Sequence, residues 1–381
     1  MAPALAIMDR PHVAQEMPRA SNRRAFVGAT FWWNHSTVRG LFSVPAGEPE
    51  FFDTVDEAIA GARQYDGYVV AWATRLEPRH VRECASLNLD LVRIEDGFIR
   101  SIGLGAGFTG AASLAVDKCG IYFDPGRPSD LEKLLQTTVV SDKERSDGDR
   151  IRRRIIELGL TKYNLHRGRM TAVRAGTRKI ILVPGQVADD ASVLNSMSHT
   201  IDAASDISVN LQLLRLARAR NPDAFLIYKP HPDVRYGLRR GSVSLDATRE
   251  LVDLVVDDVD IADLIEMCDG VETISSLAGF EALLRDKSVT VHGLPFYAGW
   301  GLTTDFAHAP RRSTRRTIDE LCYIAFVHYT RHVHPATGKP CTVHELFNAL
   351  ATLRSSRLHR IRSSGLRYFA RLCESMSARG H

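Results

Sequence analysis

Short apolar runs alternate with helical stretches twice over in this chain, and that alternation restricts the fold more than any other feature. In the first half Ala25–Ala29, Tyr68–Ala73 and Asp90–Ile94 read as strands, while Val55–Gln64, Pro78–Leu87 and Pro128–Leu135 carry helical signals. The second series is denser. Lys179–Val183, Ala224–Tyr228, Leu251–Val256, Gly270–Ile274 and Ser288–His292 read as strands, with helices predicted over Val209–Arg220, Ile261–Cys268 and Leu277–Arg285. Strands separated by helices pair in parallel and need cover on both faces, so the expected fold class is α/β.

At 381 residues the chain has room for two such domains. The charged, helix-prone stretch Ser141–Arg178 lies between the two series and is the expected connection. The boundaries that follow are a mobile tail over 1–22, a Rossmann-like domain over 23–165, a second over 175–325, and C-terminal helices over 326–381. The tail has three prolines and no apolar h-region, unlike a signal peptide. No apolar run approaches the roughly 20 residues that a membrane-spanning helix needs. A cytoplasmic protein is the expectation. From Thr352 to His381 seven arginines accompany one acid, Glu374, on a helical repeat of apolar residues. Such a basic amphipathic helix suits an anionic membrane surface or packing on the protein equally well. The six cysteines are far apart and none forms a C-x-x-C pair, so neither a zinc site nor a disulfide framework is expected. Nor does a basic face interleaved with aromatics point to nucleic acid.

Residues able to do chemistry collect at predicted strand ends, where an open parallel sheet binds its ligands. Tyr228-Lys229-Pro230-His231-Pro232-Asp233 offers a permanent cation and a titratable donor for a phosphate, or else a proline-stiffened turn. Thr273-Ile274-Ser275-Ser276 runs into the predicted helix from Leu277, aiming hydroxyls and a helix N-terminus at an anion; an ordinary serine cap is the plainer alternative. Two possible phosphate ligands at two strand ends of one domain suggest a nucleotide-activated donor. In the other domain Arg93-Ile94-Glu95-Asp96-Gly97 places paired carboxylates for general-base work on an acceptor hydroxyl, or forms a charged turn. Gln186-Val187-Ala188-Asp189-Asp190 offers a carboxylate for double displacement, or a helix cap. Asp258-Val259-Asp260 has the D-x-D spacing of a metal site, but Asp260 fits better as the cap of the helix from Ile261. His328, His332 and His334 lack a supporting acid for zinc and read as surface or cleft histidines.

Taken in order, Glu95 to Gly105, Gly120 to Glu132, Val183 to Ser192, Tyr228 to Asp233, Ser275 to Leu284 and Pro295 to Leu302 resemble the bacterial β-Kdo transferases of capsule assembly, the KpsC/LpsZ-type family. The resemblance spans roughly residues 25 to 350. It implies a GT-B architecture, two Rossmann-like domains facing a cleft, and a retaining transferase that uses CMP-β-Kdo. It implies Glu95 as acid/base, Asp190 as nucleophile, and Lys229, His231, Ser275 and Ser276 as the CMP-binding set. Gln186, Asp96, Arg100, Asp189 and Glu281 are possible supports. Arg93, Arg100 and Arg235 are unranked candidates for the sugar carboxylate. No cofactor or metal is implied, because one phosphate is met by a lysine, a histidine and a helix N-terminus. Some members of that family carry two such modules, and this sequence has length for one. The implied acceptor is a Kdo-bearing oligosaccharide or glycolipid at the inner face of the cytoplasmic membrane, with peripheral contact through the basic tail. Val291-His292-Gly293-Leu294 and the histidine-rich 328–334 stretch depart from the family pattern. Transfer of another CMP-activated acidic sugar, a non-catalytic sugar-nucleotide-binding role in capsule assembly or export, and a UDP-sugar epimerase stay open.

Overall fold

The structure, a computed structural model, describes residues 22–101, 110–162, 170 and 172–355. Two sheets account for the strands. The first is built from β1 (Ala25–Gly28), β2 (Glu50–Phe52), β3 (Tyr68–Trp72), β4 (Leu91–Asp96) and β5 (Ser113–Asp117). The second contains β6 (Ile180–Pro184), β7 (Phe225–Lys229), β8 (Leu254–Val255), β9 (Gly270–Thr273), β10 (Ser288–Val291) and β11 (Thr304–Asp305). The chain then returns to the first sheet with β12 (Thr330–Val333) and β13 (Pro340–Cys341). Sheet orders are β13-β12-β5-β4-β3-β1-β2 and β11-β10-β9-β6-β7-β8.

Every pairing in the second sheet is parallel, as helix-separated strands require. In the first sheet β2, β1, β3 and β4 are parallel, while β5, β12 and β13 add antiparallel neighbours. The mixed α/β class is therefore as expected. The local signals that marked its helices are visible as bonds. Thr54 caps Val55–Gln64 in a reciprocal box with Glu57, and Ser141 does the same with Glu144 for Asp142–Glu157.

Three expectations are corrected. Residues 326–381 were expected to be helical, but Thr330–Val333 and Pro340–Cys341 are strands, because the open edge of β5 takes β12 in antiparallel register. The strand expected over Leu251–Val256 is reduced to Leu254–Val255. Ser244 accepts from the Ala247 N–H and starts a helix that holds the chain to Leu251. His332, expected at the surface or in a cleft, lies within β12 and is 7% exposed, bonded to Phe326 O at 2.8 Å and Ser113 Oγ at 3.1 Å. Burial pushes its pKa down to about 4. The basic segment after Ser355 lies outside the described residues, as do residues 1–21 of the tail expected over 1–22. Among the described residues no helix is long and apolar enough to cross a membrane.

One apolar core runs through both halves: Leu131, Leu135 and Ile155 pack in the same cluster as Leu182, Val271 and Trp300. Polar contacts seal the same seam. Arg312, 8% exposed, meets Glu132 at 2.9 Å, and Arg152 meets Asp319 at 2.9 Å. Gly148 is needed here, since a β-carbon would strike the Asp319 carbonyl.

Candidate active site

The parallel strands deliver their loops to a cleft of ≈ 390 Å³ lined by residues of both halves. From the first sheet come Thr74, Glu95, Tyr122 and Phe123; from the second come the loops after β6, β7 and β9. Gln186 organises the second set. Buried at 5% exposure, its Oε1 accepts from Thr273 Oγ1, Ile274 N and Ser275 N at 2.9, 3.0 and 3.1 Å. Its amide nitrogen donates to Ser275 Oγ at 3.2 Å. One side chain thus fixes the loop after β6 against the turn after β9. Gly185 allows the β7 loop to close on the same point, since a β-carbon would crowd Tyr228 and the His231 backbone.

A first prediction follows from this hub. Gln186→Leu strands two buried donors and a half-buried one, and at about 1–3 kcal/mol for an unsatisfied group the loss should reach roughly 3 kcal/mol. A lower midpoint in urea unfolding, with unchanged slope, is the expected readout. An unshifted midpoint would show that the turn is held by other contacts.

Lys229 ends β7 and reaches Asp257 O at 3.0 Å, lining the cleft at 8% exposure. His231 caps Pro232–Arg235, its Nδ1 accepting from Asp233 N at 3.2 Å. Burial holds its pKa below the usual value, against the opposing charges of Asp233 and Asp190. Ser275 Oγ donates to Ser192 O at 2.8 Å, which ties the β9 turn to the segment carrying Asp190. Ser276 caps the helix Leu277–Leu283, its Oγ accepting from Ala278 N at 3.2 Å. The capped end of this helix, Ser276 to Ala278, lines the cleft.

Asp190 also caps a short helix, Ala191–Leu194. Its Oδ1 takes both bonds, from Ser192 N at 2.9 Å and Ser192 Oγ at 2.6 Å. Asp190 is exposed and lines the cleft. Opposite stands Glu95 at the end of β4, with Thr74 Oγ1 donating to it at 3.4 Å. Burial and the neighbouring Asp96 charge push its pKa up to about 7, so it exchanges a proton near neutrality. Glu281 is a second such group: it lines the cleft, accepts from Lys162 N at 3.0 Å, and burial raises its pKa to about 7.

Not every expected residue reaches the cleft. Asp96 and Arg100 pair with each other, Nε to Oδ2 at 2.8 Å, and Arg100 is 1% exposed, so this pair braces the β4 loop from inside. Asp189 turns outward to Arg239 at 3.3 Å. Arg93 donates to Lys118 O and Arg235 pairs with Asp257, so none of the three expected arginines lines the cleft. Asp260 caps its helix through Ala262 N at 3.0 Å and also lines the cleft. Sequence reasoning missed Lys162, Tyr122 and Thr74. Lys162 sits in the stretch read as a connection, and only the tertiary fold carries it to the cleft.

Comparison with known proteins places this chain in a family. The capsule polysaccharide biosynthesis protein model matches residues 68–167 and 160–338. The capsule polysaccharide modification protein LipA of Neisseria meningitidis serogroup B is 37% identical over 83% of this chain, and the match covers 43% of LipA. The lipopolysaccharide-processing protein LpsZ of Rhizobium meliloti is 39% identical over 69% of this chain and 59% of its own length. The chain thus spans about half the length of these curated relatives. Among solved structures, the β-Kdo 2,4 transferase of Thermosulfurimonas dismutans KpsC superposes with a TM-score of 0.71 at 29% identity, covering 85% of this chain and 97% of that one. The β-Kdo 2,7 transferase of the same KpsC gives 0.68 at 29% identity, over 87% and 100%. The chain belongs to the capsule polysaccharide biosynthesis protein family and is of the KpsC/LpsZ type.

Proposed function

We propose that this chain is a retaining β-Kdo transferase of GT-B architecture, moving Kdo from CMP-β-Kdo to a saccharide or glycolipid acceptor in capsular polysaccharide biosynthesis. One observation carries the reading. A single cleft receives Glu95 from one sheet and Asp190, Lys229, His231 and Ser275 from the other. The activity named for the two KpsC structures supports the same chemistry.

In this scheme the CMP phosphate meets the Lys229 ammonium, a His231 ring N–H and the N-terminal end of the helix Leu277–Leu283, a set that needs no metal ion. Asp190 Oδ2 attacks the anomeric carbon as the C–O bond to CMP breaks, leaving Kdo esterified to the aspartate. Glu95 then takes the proton of an acceptor hydroxyl, and that oxygen displaces Asp190. Two inversions retain the configuration. Lys162 supplies a cation near the sugar carboxylate. On the acceptor side, Trp32 is 67% exposed and Arg75, the neighbour of Thr74, lies 5.0 Å over the Phe31 ring. Contact of the basic 352–381 segment with anionic lipid belongs to the same proposal, as does the division into an acceptor domain over 23–165 and a donor domain over 175–325.

The test is direct. The purified chain, given freshly generated CMP-Kdo and a Kdo-terminated acceptor, should release CMP and yield a β-linked product by NMR. CMP-Kdo left unconsumed and unbound would overturn the assignment in favour of another nucleotide sugar or a non-catalytic role.

A further inference from the structure

Away from the proposed chemistry, the end of β5 and the helix Asp130–Thr137 hold a cysteine and a lysine in an unusual relation. Lys133 Nζ stands 2.7 Å from Cys119 Sγ across 14 positions of chain. Both anchors are set by one buried carboxylate. Asp117 Oδ1 accepts from Cys119 N and Gly120 N at 2.9 and 2.8 Å, and its Oδ2 accepts from Asp130 N at 3.0 Å and Tyr329 Oη at 3.1 Å. A return bond from Lys118 N to Asp130 Oδ2 at 2.7 Å closes the loop, and Ser129 caps the helix. Neither the cysteine backbone nor the lysine backbone can drift from the other.

The other described cysteines differ. Cys84, Cys268 and Cys322 are buried, whereas Cys119 and Cys341 are partly accessible. Among the described residues only Cys119 has an amine within hydrogen-bond reach. Accessibility lets a peroxide reach the sulfur, and the amine already stands inside near-attack distance, about 3–3.5 Å for reacting atoms.

We propose that Cys119 and Lys133 form an oxidative cross-link, a sulfenamide, when the protein meets hydrogen peroxide. The Cys119 sulfur, as thiolate, attacks one peroxide oxygen; the O–O bond breaks, and the departing hydroxide takes the Lys133 ammonium proton, leaving a sulfenic acid, one water and a neutral amine. The neutral Lys133 amine then attacks that sulfur. An S–N bond forms, the S–O bond breaks, and hydroxide leaves with the amine proton as a second water. One peroxide is consumed and the protein loses two hydrogens. Hydrogen bonding to Cys119 Sγ is the first reason Lys133 holds its proton above the usual range, while burial pushes the Cys119 thiol up; conversion to a sulfenic acid removes the hold on the lysine. The bridge would staple the segment 119–133, which carries Tyr122 and Phe123 into the cleft and Glu132 to Arg311 and Arg312.

The experiment uses the full chain. After hydrogen peroxide treatment and thiol alkylation, peptide mass spectrometry should find the Cys119 and Lys133 peptides joined with two hydrogens lost, and dithiothreitol should part them. Lys133→Arg keeps the charge and the fold but lacks the nucleophile. It should lose the joined peptides and carry Cys119 on to sulfinic acid, while Cys119→Ser should lose both products. Joined peptides absent from the wild type, with Cys119 sulfinic or disulfide-bonded and Lys133 unmodified, would overturn the proposal. This readout is independent of sugar transfer, so its failure leaves the proposed function standing, and the reverse also holds.

Discussion

Asp190→Asn should retain the fold and bind CMP, yet lose transfer by at least roughly three orders of magnitude, as removal of a covalent nucleophile does. Asparagine is the informative substitution because Asp190 also caps Ala191–Leu194. Asn caps as well as Asp, whereas Asp190→Ala adds about 1 kcal/mol of lost cap energy to the chemical effect. Steady-state CMP release and calorimetric CMP binding separate the two contributions. Transfer at the wild-type rate in the Asn variant would sink Asp190 as nucleophile, and with it the double displacement.

The second large effect belongs to Glu95. Glu95→Gln leaves Asp190 able to accept the sugar but removes the base that activates the acceptor. Intact-protein mass spectrometry after incubation with CMP-Kdo should therefore show one added Kdo residue, mapped to Asp190. An unmodified protein that still consumes donor would place the base elsewhere. In the wild type, transfer should rise as pH increases through about 7, where burial puts the Glu95 ionisation. Stability should move the other way. A folded-state pKa above the unfolded value of 4.5 stabilises the fold fully below 4.5, and that contribution is lost as pH rises through about 7. Glu95→Gln should flatten this part of the stability–pH curve, although Glu281 titrates in the same window and will leave a residual slope.

Much of the second half was legible because its signals are local. The helix Val209–Arg220 lies where its leucines predict it, and β6, β7, β9 and β10 fall within a residue of their apolar runs at each end. Lys229, His231 and Ser275 could be picked out because a parallel sheet gathers its strand ends on one edge. What was not legible depends on distant partners. β12 has only four residues, Thr-Arg-His-Val, and no alternation strong enough to announce a strand; the edge of β5 makes it one. Asp96 and Arg100 looked like cleft residues because they follow a strand, but their spacing lets them form an ion pair inside the loop. Lys162 could not be found at all, since its place depends on Glu281, more than a hundred positions later.

The return of β12 and β13 to the first sheet also sets the order in which the molecule can mature on the ribosome. Residues 25–117 emerge first, but β5 has no outer neighbour until Thr330–Val333 leaves the exit tunnel. Until then the early half presents an unpaired strand edge, the kind of surface that recruits other chains. The later, wholly parallel sheet has all its strands within 180–305 and can close beforehand. Synthesis would thus finish the second half first and the first half last. Nascent chains arrested before residue 330 should be trapped by holdase chaperones, and those released beyond residue 341 should not.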